Sequence, residues 1–117
     1  MTNIEKLFNM KVSFDFDGTL TNDIYFRLAS AFIEHRCDVH IVTARNINGK
    51  NDDLFQVAIK LGIAKEKIIF TNFDSKLPFV KDFYLHFDDD NVEIEDINFH
   101  GGRCLGILVE TNHRYLF

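Results

Sequence analysis

The chain has 117 residues, enough for one domain spanning 1–117 and too few for two, and its 46% hydrophobic content, with thirteen Phe, suffices for one packed core. A net charge of -5 gives no global field for gripping a phosphate backbone, so tight nucleic-acid binding is disfavoured, although local Lys and Arg leave it open. Met1 to Met10 mixes Asn, Glu and Lys, no apolar run is long enough to cross a bilayer, and Cys37 and Cys104 are isolated; this pattern speaks against secretion and membrane insertion and points to free buried thiols in a reducing cytoplasm.

In chain order, the first strand-like run is Lys11 to Phe16. The segment Asp23 to His35 follows, with Ile24, Leu28 and Phe32 on one helical face and Ala29 and Ile33 widening the stripe, which predicts a helix lying on a sheet. Val39 to Thr43 is the second strand. Asp52 to Leu61 then places Leu54, Ala58 and Leu61 on one face, begins among Asn and Asp capping candidates and stops at Gly62. A third strand is expected at Lys67 to Thr71. Ser75 to Phe83 predicts a short helix with Pro78 in its first turn. A fourth strand covers Tyr84 to Phe87, a helix with Val92, Ile94 and Ile97 covers Asn91 to Phe99 up to the Gly101-Gly102 break, and Cys104 to Glu110 is the last strand. Strands alternating with helices, and apolar throughout as in Ile68-Ile69-Phe70, predict a three-layer α/β/α, doubly wound, Rossmann-like and mainly parallel sheet of about five strands. In such sheets ligands bind beyond the carboxyl ends of the strands, where strand order reverses.

Four groups of residues stand at or near those ends. Asp15-Phe16-Asp17-Gly18-Thr19-Leu20 follows the first strand, Ile41-Val42-Thr43 closes the second, Lys76 enters the short helix, and Phe87-Asp88-Asp89-Asp90 ends the fourth strand. In this order they resemble the four signatures of the haloacid dehalogenase superfamily, and the resemblance covers almost the whole chain. It implies a magnesium-dependent phosphatase that acts through an aspartyl-phosphate. Asp15 would be the nucleophile, Asp17 the general acid and base, and Thr43 and Lys76 the partners of the phosphoryl oxygens. Magnesium would be held by Asp15, Asp88 and Asp89 and by the main-chain carbonyl of Asp17, and substrate would meet Gly18, Thr19, Ala44 and Arg45. The acid at Asp17 favours phosphoryl chemistry over carbon–halogen cleavage, since the dehalogenases of the superfamily lack it.

Charge arithmetic reaches the same cluster if the first and fourth strands are neighbours. Each like-charged pair at ~4 Å costs roughly 4 kcal/mol at an effective dielectric near 20, so Asp15, Asp17, Asp88 and Asp89 together demand a cation, and magnesium is a hard, oxygen-seeking one. Several choices stay open. Lys81 competes with Lys76. Alternation along a strand pairs Asp88 with Asp90, whereas the signature pairs Asp88 with Asp89. Arg45 is as consistent with the surface as with substrate contact, and His40 and His86 read as strand-flanking residues, because the five histidines share no metal spacing.

Thr19 to Val39 has room for one helix, and Arg45 to Lys76 for a loop, a helix and a strand, so no cap domain is expected and only the Asn46 to Asn51 loop is placed to cover the site. An open site suits a macromolecular phosphorylated substrate, a polynucleotide or a protein, or an oligomer whose neighbour closes it. The rival is a phosphoryl-binding, receiver-like signalling module without turnover. Receivers carry an acidic pair on the first strand and their phosphoacceptor on the third, a different motif order.

Overall fold

Five short strands carry the architecture: β1 (Lys11–Phe14), β2 (Asp38–Thr43), β3 (Ile68–Phe70), β4 (Leu85–Asp88) and β5 (Leu105–Leu108). In this computed structural model residues 9–100 and 102–110 are described. Most of the Met1 to Met10 segment and the first glycine of the Gly101-Gly102 break lie outside them. The strands form one sheet in the order β3-β2-β1-β4-β5, and all four of its pairings are parallel. Strand order therefore reverses between β1 and β4, which puts the crevice of a doubly wound sheet beside Phe14 and Asp88. The expected three-layer α/β/α fold is observed.

Helices α1 (Asp23–Glu34), α2 (Asp52–Leu61), α3 (Leu77–Val80) and α4 (Asn91–His100) make the crossovers. On one face of the sheet Val12, Phe14, Val39, Ile41 and Phe87 pack with Ala29 of α1 and Leu54 and Ala58 of α2. Phe14 and Phe87 stack with ring centroids 4.6 Å apart, and Phe32 closes the group at 6.1 and 6.0 Å from them. Burying each such ring stabilises the fold by roughly 1.5–3 kcal/mol. Val42, Val80, Phe83, Ile97 and Cys104 form a smaller core on the other face, under α3 and α4. Among the described residues no helix is long and apolar enough to cross a membrane.

The α2 boundaries match the expectation because both ends are marked in the chain, and Gly62 takes the left-handed conformation, φ 78°, that a helix stop requires. Three details differ. Ile24, assigned to the inward stripe of α1, is 57% exposed and lies in the first turn of the helix. Val92 is exposed too, since two residues before Ile94 is not the same side of a helix; only Ile94 and Ile97 of that set are buried. The helix expected from Ser75 to Phe83 contracts to the four residues Leu77–Val80 around Pro78.

One helix links β1 to β2, and a loop, α2, a 3₁₀ turn and β3 lie between β2 and Lys76. Neither connection has an inserted cap.

Candidate active site

β1 stops at Phe14, and the Asp15 N–H is still held by the Phe87 carbonyl of β4 at 2.8 Å. From there the chain turns sharply through Phe16–Leu20, with Gly18 at φ 78°. A β-carbon at Gly18 would lie 2.0 Å from Asp89 Oδ2, so glycine is needed both for the left-handed backbone and for the approach of Asp89. Asp88 ends β4. One oxygen from each of Asp15, Asp88 and Asp89 lies within 4.8 Å of the others.

Lys76 reaches this group from the α3 side. Its ammonium donates to Asp15 Oδ1 at 2.8 Å and to Asp88 Oδ2 at 2.7 Å, and its side chain is 3% exposed. The path to it is set by Asn72 and Phe73, two consecutive left-handed residues (φ 54° and 67°) whose N–H groups donate to the Arg45 and Ala44 carbonyls. Glu93 of α4 accepts the Lys76 backbone N–H at 3.1 Å. That N–H is thus occupied and α3 has only four residues, so the side chain of Lys76, and not a helix terminus, is what this segment brings to the site. Lys81 is exposed.

The electrostatics are those of a strained cluster. Burial is the main influence on Asp15 and, with Asp88 and Asp89 nearby, it overcomes Lys76 and pushes the carboxyl up to about 8. Asp89 is raised chiefly by burial and also by the charge of Asp88. Burial also opposes ionisation of Asp88, but the hydrogen bond from His86 and the charge of Lys76 outweigh it and hold the group at about 2. For Lys76 burial is again the largest influence and disfavours its charge; Asp15 and Asp88 more than compensate, and its pKa is raised. With all three carboxyls ionised, the one ammonium would leave two negative charges unbalanced, which, on top of burial, is why Asp15 and Asp89 hold their protons more tightly than free carboxyls. The donor set, all hard carboxylate oxygen, fits a divalent cation.

Not every expected residue joins the cluster. The Asp17 side chain is 59% exposed and turns away to Arg45, which donates to it through Nε at 2.9 Å and Nη2 at 2.8 Å. The same guanidinium grips Asp53 at 2.7 and 3.0 Å and lies 4.9 Å from the Phe16 ring centroid. The expected convergence of Asp17 with the other three is therefore corrected: a guanidinium matched to two carboxylates draws Asp17 out of the cluster. Asp90 is also outside it. Its Oδ1 accepts the Val92 and Glu93 N–H groups at the start of α4, because strand alternation ends at Asp88. Thr43 is fully buried and its hydroxyl accepts the Arg45 N–H at 3.2 Å. Thr19 is fully buried with its hydroxyl oxygen unpartnered, and Ala44 is half-buried behind Arg45. The Asn46 to Asn51 loop is tied down by Asn51 Nδ2, which donates to the Asn46, Ile47 and Gly49 carbonyls, and with Arg45 and Phe73 it borders a depression of about 280 Å³.

One residue belongs to the site that the sequence reading placed at a strand flank. His86 lies inside β4, is 0% exposed, and its Nε2 is 2.8 Å from Asp88 Oδ2. The signal was present: spacing of two within a strand puts His86 and Asp88 on one face. His40, on β2, does not reach the carboxylates; its ring packs edge-on to Phe83 at 5.0 Å.

A scan against models of protein families finds no match to this chain, and a search of curated proteins finds none either.

Proposed function

We propose that this chain is a magnesium-dependent phosphohydrolase of the haloacid dehalogenase type, acting on phosphate monoesters through an aspartyl-phosphate on Asp15. One observation carries the reading: Asp15, Asp88 and Asp89 converge within 4.8 Å at the β1/β4 crevice with Lys76 bridging two of them. The receiver-like alternative is disfavoured because β3 ends at Phe70, followed by Thr71-Asn72, with no carboxylate there to accept a phosphoryl group.

Asp15, Asp88 and Asp89 would hold magnesium. Bound there, the ion would offset carboxylate charge and polarise a phosphoryl oxygen. A carboxylate oxygen of Asp15 forms the bond to phosphorus as the bond to the leaving oxygen breaks, and that oxygen takes the proton of Asp17. A water then attacks phosphorus and gives its proton to Asp17, the acyl-phosphate bond breaks, and inorganic phosphate leaves with Asp15 restored. Lys76 moves its hydrogen bonds toward the phosphoryl oxygens as Asp15 is consumed. Thr43 already accepts the Arg45 N–H, so its own hydroxyl hydrogen is available to a phosphoryl oxygen. For Asp17 to act, it leaves Arg45, takes a proton from solvent and turns to the leaving oxygen, and Asp53 retains the guanidinium meanwhile.

The test is hydrolysis of an aryl phosphate, phosphosugars, nucleotides, phosphopeptides and 3′- or 5′-phosphorylated oligonucleotides, with magnesium and with chelator. Turnover should need magnesium and vanish in Asp15→Asn, whose amide is a poor nucleophile and a poor ligand. Asp17→Asn should retain magnesium affinity and lose about 10²–10⁴-fold in kcat, the range of general acid–base catalysis. Turnover by Asp15→Asn would overturn the mechanism.

A further inference from the structure

Beneath the three carboxylates lies a second layer of polar groups. Ser13 stands two residues behind Asp15 on β1, His86 two residues behind Asp88 on β4, and the register pairs Ser13 with His86 across the strands. Both are 0% exposed. A hydroxyl and an imidazole sealed in a sheet are costly unless they are bonded, and here both are. Ser13 Oγ is 2.7 Å from His86 Nδ1, and His86 Nε2 is 2.8 Å from Asp88 Oδ2.

The partners decide the tautomer. An ionised carboxylate only accepts, so Nε2 carries the hydrogen and donates to Asp88. If Nδ1 were protonated as well, the Ser13 hydroxyl could send its own hydrogen only to the Leu85 carbonyl, a long 3.5 Å away. With Nδ1 bare, Ser13 donates to it across 2.7 Å. The grouping of Ser, His and Asp has the composition of a hydrolytic triad, but a fully buried Ser13 meets no substrate, so its chemistry points inward to Asp88.

The lone pairs on Asp88 show what the pair achieves. Oδ2 accepts from both Lys76 (2.7 Å) and His86 (2.8 Å), whereas among the described residues Oδ1 accepts only the Asp90 N–H at 3.0 Å. We infer that Ser13 and His86 are positioning residues that lock the Asp88 carboxylate from behind the sheet, saturating Oδ2 and leaving Oδ1 to face the position shared with Asp15 and Asp89. The lock itself follows from the hydrogen bonds; its use in holding a cation rests on the function proposed above. Groups that orient a metal ligand in this way set affinity without touching the metal.

The experiment uses the full chain and has two arms. In the metal-free protein, long-range nitrogen–proton correlation spectra of the His86 ring should show a protonated Nε2 and a bare Nδ1, and Ser13→Ala should shift the Nδ1 signal by removing its donor while Nε2 stays protonated against Asp88. In the second arm, magnesium and manganese are titrated calorimetrically into wild type, His86→Leu, His86→Gln and Ser13→Ala at one pH, with thermal unfolding recorded for each. His86→Leu should weaken binding by roughly 10- to 100-fold, and Ser13→Ala by less. His86→Gln, whose amide N–H again donates to Asp88, should recover most of the loss. Unchanged affinity in variants that melt like wild type, or a ring protonated on Nδ1, overturns the inference. If wild type binds neither ion, the metal-centre reading falls while the lock is decided by the tautomer alone. If His86→Leu does not fold, Ser13→Ala, which removes a single hydroxyl, carries the test.

Discussion

Lys76 has its ammonium between two buried carboxylates, so its removal separates charge balance from packing. Lys76→Met leaves Asp15 and Asp88 facing each other, and breaking a buried pair in this way destabilises by roughly 3–5 kcal/mol. In chelator the variant should melt well below wild type, and saturating magnesium should restore much of the gap, because the ion takes over the missing charge. Lys81→Ala, at an exposed position, should change neither quantity. Equal melting of Lys76→Met and wild type in chelator would show that these groups share no buried charge network. Individual residues were legible in the chain to different degrees. Asp15 and Asp88 stood out because each follows an apolar strand in a series of four motifs, whereas the choice between Asp89 and Asp90 stayed open, since alternation and the signature point different ways. Asp17 was found but its side-chain direction was not, since the pull of Arg45 and Asp53 depends on a turn whose path no local pattern encodes. His86 was passed over because a search for metal spacing among histidines ignores a histidine that serves an aspartate.

At the level of elements, the turn after β1 gives the sharpest prediction. In Gly18→Ala the new β-carbon meets Asp89 Oδ2 at 2.0 Å, on a backbone at φ 78°. The carboxylate can swing aside, so the steric cost is small; the backbone strain adds about 1–3 kcal/mol. Magnesium affinity should therefore fall further than the loss of melting temperature suggests, because the displaced group belongs to the acidic cluster. Calorimetric titration beside a melting curve checks this, and wild-type affinity in Gly18→Ala would separate Asp89 from the cation. Elements were readable where their ends carry chemical marks, as α2 does between Asn51 and Gly62. They were less so where one proline or one spacing stood alone. Nothing in Ser75-Lys76-Leu77-Pro78 says that helical structure begins only at Leu77, because the restraint on Lys76 comes from Glu93, 17 residues away.

For the molecule as a whole, the short connections leave the strand ends uncovered apart from the tied Asn46 to Asn51 loop and its depression of about 280 Å³. A small phosphate ester then meets little protein with which to orient itself or exclude water. A phosphorylated polymer end or protein, lying across Arg45 and that loop, should be hydrolysed with a higher kcat/KM than sugar phosphates or mononucleotides. Sizing of the protein beside the substrate panel separates this from closure by a neighbouring subunit. Efficient hydrolysis of one small metabolite by a monomer would overturn it.

The central place of β1 also has a consequence for biosynthesis. β1 is the first of the five strands to be made, yet one of its two neighbours, β4, begins at Leu85, and the Ser13–His86 contact spans 73 residues. Until that point is translated, β1 can pair only with β2, and its other edge, carrying Val12 and Phe14, has no strand beside it. A nascent chain halted before β4 would thus present a template for foreign strands, with two of the three carboxylates of its acidic cluster not yet made. Uptake of a divalent ion would then report that synthesis has passed Asp89 and β4 has joined β1, and chains truncated before residue 85 should aggregate rather than bind it.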